Sequence, residues 1–173
     1  MPAKELAPGK RERLVQAAAE LVHQQGAEKT TLADISDAAD VPLGNIYYYF
    51  KTKNAILEAV VDSHVQDVAA TIGSLNEHRS PKARLKALTR LLAGRADVIA
   101  EYGCPHGTLC SELEKQPDDH EVGRLIELPI AWLEEQFREM GCRNPRELAL
   151  SFMVRYQGTA VLTHTLGDPS LLT

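Results

Sequence analysis

Ala38-Ala39-Asp40-Val41-Pro42-Leu43-Gly44-Asn45-Ile46-Tyr47-Tyr48-Tyr49-Phe50-Lys51-Thr52-Lys53 carries four of the chain's nine aromatic residues in one run. On a helix, successive residues point about 100° apart, so four in a row cannot all face one small core. Ile46 and Phe50 are four apart and make the expected buried pair. That leaves Tyr47, Tyr48 or Tyr49, at least one or two of them exposed, for an outer face together with Lys51 and Lys53. Hydroxyls beside ammonium groups suit a phosphate backbone. Just upstream, Asp40-Val41-Pro42 breaks the helical pattern. Before that break, Thr31 reads as the N-cap of a short helix over residues 32–39, with Asp34 as its capping partner and Leu32, Ile35 and Ala39 facing inward. A short helix, a tight turn and a second short helix over residues 43–49 make a helix-turn-helix. Gly44 lets the backbone approach a ligand closely. Asn45 offers an amide to a base edge. The N-terminal residues of such a second helix are the ones presented to the major groove.

Outward from this stretch the chain reads as helical almost throughout, an all-α protein. Residues 10–25 carry an apolar stripe of Leu14, Ala17, Ala18, Leu21 and Val22, and Gly26 is the expected stop. Thr52 is positioned to cap a long fourth helix over residues 54–75, whose apolar stripe also holds His64. Ser80-Pro81 reads as N-cap plus N1 proline, with Leu85, Leu88, Leu92 and Ile99 following at helical spacing. Tyr102-Gly103-Cys104-Pro105 is a break, a short helix is expected near residues 106–115, and Gln116-Pro117-Asp118 breaks it again. The stripe from Val122 to Met140 contains Pro129, which is expected to kink it. Asn144-Pro145-Arg146-Glu147 is a strong start for a last helix that runs to Leu166 and is apolar on more than one side. The chain ends soon after that helix, at Leu171-Leu172-Thr173, so no further helix is expected beyond it.

Composition narrows the function. The chain has 173 residues, a net charge of −5, 44% hydrophobic residues and 25% charged residues, as in ordinary folded proteins. No apolar run approaches the roughly 18 residues a membrane span needs. Met1-Pro2-Ala3-Lys4-Glu5 lacks the apolar stretch of a secretory signal, and three cysteines do not make a disulfide framework, so cytoplasmic is the expected location. Residues 1–60 hold seven basic and eight acidic side chains, so a nucleic-acid contact has to be local, at Lys10, Arg11, Arg13, Lys51 and Lys53. Cys104-Pro105-His106-Gly107-Thr108-Leu109-Cys110 invites a metal reading but lacks a convincing fourth ligand beyond His120, so neither metal nor cofactor is expected. Cys104 precedes a helix start, which lowers thiol pKa, and this motivates an alternative function as a thiol-based redox or electrophile-responsive protein. Two inert packed thiols are the bland reading of the same residues. His64, Tyr102, Cys104, Trp132, Met153 and Tyr156 are candidates for lining a small-molecule cavity, or equally core filler.

Residues 10–57 resemble the DNA-binding domain of the TetR family of bacterial transcriptional repressors. The resemblance rests on Thr30-Thr31-Leu32-Ala33-Asp34-Ile35 and on the run from Ala38 to Lys53. It implies that Tyr47 and Tyr48 contact phosphate or a thymine methyl, that Lys53 pairs with phosphate, and that Thr31 starts a helix meeting the DNA backbone. Pro42, Leu43, Gly44 and Asn45 take the positions that reach bases. Leu43 stands where many members carry a polar or basic side chain, which restricts it to apolar contact. The resemblance further implies a non-enzymatic regulator with residues 1–52 as the DNA-binding domain and residues 53–173 as a helical effector-binding and dimerisation domain. Its expected partners are double-stranded palindromic operator DNA, a second copy joined through residues 121–140 and 145–166, and a small-molecule effector, with no membrane.

Overall fold

The computed structural model describes residues 9–113 and 122–173. The expected break at Gln116-Pro117-Asp118, the start of the 121–140 segment, His120 and the Met1–Glu5 terminus lie outside the described residues. The helices are α1 (Lys10–Gln25), α2 (Leu32–Ala38), α3 (Leu43–Tyr49), α4 (Lys53–Asn76), α5 (Pro81–Ala93), α6 (Ala96–Tyr102), α7 (Pro105–Leu113), α8 (Arg124–Glu139) and α9 (Pro145–Leu166). A short 3-10 helix, Pro169–Leu172, follows them. Among the described residues no strand occurs. Two compact units divide inside α4, between Ser63 and His64, rather than at its start.

In the first unit every helix contributes to the buried set, including Leu14, Val22, Ile35, Ile46, Ile56 and Val60. Each such side chain contributes about 1.5–3 kcal/mol on burial. The early residues of α4 therefore belong to this core, which is why the division falls past Val61. α1 stops at Gly26, whose φ of 89° suits glycine. Buried Thr30 closes the following loop by donating its hydroxyl to the Gly26 carbonyl at 2.8 Å. α2 is capped as its sequence predicts: Asp34 N donates to Thr31 Oγ1, and Thr31 N donates to Asp34 Oδ2. The turn into α3 is latched by Ser36. Its carbonyl accepts from Val41 N at 3.1 Å, and its hydroxyl donates to the Val41 carbonyl at 2.6 Å. Between them Asp40 holds a φ of +49°.

In the second unit Leu75, Ile130, Trp132, Leu133, Ala149 and Met153 form one buried cluster. Ile99, Cys104 and Ala160 form another, with Tyr156 and Leu172 packed against it. The stripe read as one helix from Leu85 to Ile99 is two helices. Gly94 and Arg95 turn the chain between α5 and α6, with Arg95 N donating to the Leu92 carbonyl at 3.1 Å, and Ile99 joins a different cluster from Leu85 and Leu88. Helix periodicity does not register a two-residue interruption, so the stripe appeared continuous. Asn144 precedes α9 as expected, but its amide donates to Glu147 Oε2 at 2.8 Å and makes no side-chain bond to the backbone. After α9, Asp168 Oδ1 caps the 3-10 turn by accepting from Ser170 N at 3.0 Å.

Candidate functional site

The buried pair of α3 is the expected one: Ile46 is fully buried and Phe50 is 3% exposed. Phe50 is not itself helical. It is the extended C-cap, and its N–H still donates to the Ile46 carbonyl at 2.7 Å. The rest of α3 faces outward. Tyr48 is 78% exposed, and Tyr47, Tyr49 and Leu43 are exposed with it. The Tyr48 and Tyr49 rings meet edge to face at 4.9 Å. Pro42 is the N-cap and has no side-chain donor or acceptor to offer, so the helix start is open. A Cβ at exposed Gly44 would meet nothing within 4 Å, which leaves a bare shelf beside half-buried Asn45.

Both lysines are tethered to backbone. Lys51 Nζ donates to the Tyr47 carbonyl at 2.9 Å, and Lys53 Nζ donates to the Glu28 carbonyl at 3.1 Å. An ammonium has three donors, so each retains capacity for a phosphate oxygen. The Thr31 hydroxyl donates to Asp34 Oδ2 at 2.7 Å, so its proton is committed to that carboxylate. The Thr31 hydroxyl and N–H hold the Asp34 carboxyl below its ordinary range, with the Lys53 charge adding to the effect. Two cations of the N-terminal cluster lie near these elements. The Arg11 guanidinium lies 5.2 Å from the Phe50 ring centroid, and Arg13 lies 3.8 Å from Asp40 in the turn. The cluster Lys10-Arg11-Arg13 was visible in the sequence, but the approach of Arg11 to Phe50 and of Arg13 to Asp40 was not.

The second unit encloses a cavity of about 240 Å³. Four of the six residues proposed to line it do so: His64, Trp132, Met153 and Tyr156. Tyr102 and Cys104 do not. Tyr102 ends α6, and Cys104 is buried with Ile99 and Ala160, one layer behind the wall. The Cys104 sulfur approaches the Tyr156 hydroxyl at 3.7 Å, and burial raises that hydroxyl's pKa far above its ordinary value. This packing lends no support to the thiol-based alternative. Trp132 is fixed by donating Nε1 to Asn76 Oδ1 at 2.8 Å. The lining also includes Asp67, Arg95, His106 and Gln157, which single-sequence reading missed because they come from four separate segments.

Known proteins resemble both halves of the chain. The family model for bacterial regulatory proteins of the tetR family matches residues 14–60. The transcriptional regulator AcuR of Cereibacter sphaeroides is 30% identical over 162 residues, which cover 84% of this chain and 72% of that one. This chain belongs to the TetR family. An uncharacterised helix-turn-helix-type transcriptional regulator from the lacX 3′ region of Lactococcus lactis is 33% identical over 112 residues, covering 63% of this chain and 57% of the relative. The chain thus spans about half the length of some curated relatives it matches. The crystal structure of a TetR transcriptional regulator from Legionella pneumophila superposes with a TM-score of 0.86 at 22% identity, covering 98% of this chain and 94% of that one. That likeness establishes the TetR fold. The family match takes in every α2–α3 position named above and leaves out Lys10, Arg11 and Arg13. Among the described residues no helix is long and apolar enough to cross a membrane.

Proposed function

We propose that this TetR-family chain is a transcriptional repressor that grips a palindromic operator as a homodimer and lets go when a small molecule fills the cavity of its second unit. The wet aromatic–lysine face of α3 carries the reading. Nothing in packing requires three adjacent tyrosines in solvent, whereas hydroxyl and ammonium donors side by side are what a phosphate backbone uses. Tyr47, Tyr48, Lys51 and Lys53 are assigned to phosphates, with Tyr49 supporting Tyr48 edge-on. Pro42 to Asn45 are assigned to the major groove, Leu43 through apolar contact and Asn45 through its amide. The start of α2 at Thr31 is assigned to the DNA backbone.

The dimer is assigned to α8 and α9. α9 buries Ala149, Met153, Ala160 and Thr163 on one side while Leu150, Val154, Val161, Leu162 and Leu166 are exposed on others. An exposed apolar stripe of this kind marks an interaction surface. Twofold symmetry gives it an occupant, because helix-turn-helix proteins read paired half-sites as dimers. Release is assigned to a population shift: an effector that binds one conformation better than the DNA-competent one moves the equilibrium by its differential affinity. α4 is the natural carrier, since its residues fall in both units.

Selection of binding sites from random duplex DNA tests the function directly. A palindrome is the expected product. Recovery of unrelated sequences, with no duplex retained in dilute salt, would overturn the reading.

A further inference from the structure

The cavity is graded in polarity, and three segments grade it in the same sense. Along α4 the lining passes from Leu75 and Ile72 back to Asp67 and His64. Along α9 it passes from Phe152 and Met153 to Tyr156 and Gln157. From α5, Leu88 and Leu92 lead on to Arg95 in the turn before α6. α8 lines the cavity with apolar side chains alone, among them Ile126, Trp132 and Leu133.

The apolar ends share one buried cluster built around Leu75, Trp132, Leu133 and Met153. The polar ends gather where α7 begins. The His64 and His106 rings are 5.3 Å apart. Gly107 leaves room for Gln157, whose Oε1 would sit 2.7 Å from a Cβ at that position. Arg95 and Tyr156 line the cavity together with them.

Donors outnumber acceptors at this end. Arg95 brings a fork of five N–H groups and forms no ion pair with a carboxylate among the described residues. Tyr156 lines the cavity and brings a hydroxyl, held near the Cys104 sulfur at 3.7 Å, to this end. Imidazole and amide N–H groups add to them. Asp67 is the single acid of the lining among the described residues, and it is exposed. The volume, about 240 Å³, is below the roughly 300–1,000 Å³ of sites for drug-sized ligands.

We propose that the cavity takes a small amphipathic monocarboxylate, its apolar tail among Leu75, Trp132 and Met153 and its carboxylate at Arg95 and Tyr156. This deepens the reading of the cavity as the effector site and rests on it.

Three probes with one tail and different heads test it: octanoate, octanamide and octylammonium. Binding is read by calorimetry and by the fluorescence of Trp132, the chain's only tryptophan. Neither readout involves DNA. Octanoate is expected to bind about tenfold more tightly than either of the others, the size of one charge-assisted hydrogen bond. Arg95→Gln, an exposed position that tolerates the change, is expected to remove most of that preference and leave octanamide unaffected. Arg95→Lys is expected to keep much of it. Equal or tighter binding of octanamide or octylammonium overturns the proposal, as does an Arg95→Gln protein that holds octanoate unchanged, or silence with all three probes. A head-group preference in protein whose operator affinity ignores octanoate upholds the carboxylate site and removes its role in release.

Discussion

Lys53 serves three purposes at one position. It opens α4, it ties that helix to the α1–α2 loop through the Glu28 carbonyl, and its charge reaches Asp34. In DNA binding, Lys53→Ala should weaken affinity for all sequences alike and lower the slope of log affinity against log salt by about one. A titration with an unchanged slope removes Lys53 from the phosphate contacts. Asn45→Ala should instead blur sequence preference, read as the ratio of operator to scrambled-duplex affinity. Asp34 makes the fold of this unit pH-dependent. Its carboxyl is held below the ordinary 3.8 by Thr31, so its stabilising contribution is complete above that value and is lost as pH falls through the depressed one. Urea melts of Asp34→Asn should therefore differ from the parent most at neutral pH and converge with it in acid. Thr31→Ala, which removes the cap, should cost about 1 kcal/mol.

At the scale of elements, the α2–α3 turn holds Asp40 in a left-handed conformation that a side chain makes unfavourable. Its pairing with Arg13 is exposed and long, at 3.8 Å, and offsets little. Asp40→Gly should raise stability by about 0.5–1 kcal/mol, and Asp40→Val should lower it by at least as much, measured as midpoint shifts in denaturant. α9 carries the other prediction. Leu150, Val154 and Val161 fall on one exposed helical line that passes over Gly158, where a Cβ would meet nothing within 4 Å. If this is the dimer face, Val154→Glu should yield monomers of unchanged helicity that bind operator poorly, read by sedimentation and circular dichroism. A persisting dimer would move the interface elsewhere. The capping of α2 was legible in its sequence because both partners lie three residues apart. The interruption at Gly94 was not, because Ile99 keeps helical phase with Leu85 and Leu88 while packing in a different cluster.

The whole molecule is acidic, yet it is proposed to bind a polyanion. The two facts fit if the few cations are gathered locally, and Arg11, Arg13, Lys51 and Lys53 are. Few cations mean few counterions released, so the salt dependence per protomer should be shallow and specific binding should depend on two protomers together. Half-sites about 34–36 Å apart, or a multiple of that spacing, are what a twofold pair of recognition helices requires. If the cavity takes an effector as proposed, the coupling is reciprocal: a ligand that weakens DNA binding by some factor binds the DNA complex more weakly by the same factor.

Local chemistry determined a good deal of this protein from the chain alone. The helix-turn-helix, its caps, the Ile46–Phe50 pair and the outward tyrosines follow from residues within a few positions of one another, and helix geometry relates such neighbours without reference to the rest of the fold. The cavity was only half visible. Trp132, Met153, Tyr156 and His64 stood out as residue types, but Tyr102 and Cys104 stood out equally and lie elsewhere. Which side chains share a wall depends on how helices far apart in the chain pack. Packing alone brought Arg95, His106 and Gln157 to one cavity and set Arg11 against Phe50 and Arg13 near Asp40, because burial is a property of surfaces that meet and not of the order in which they were made.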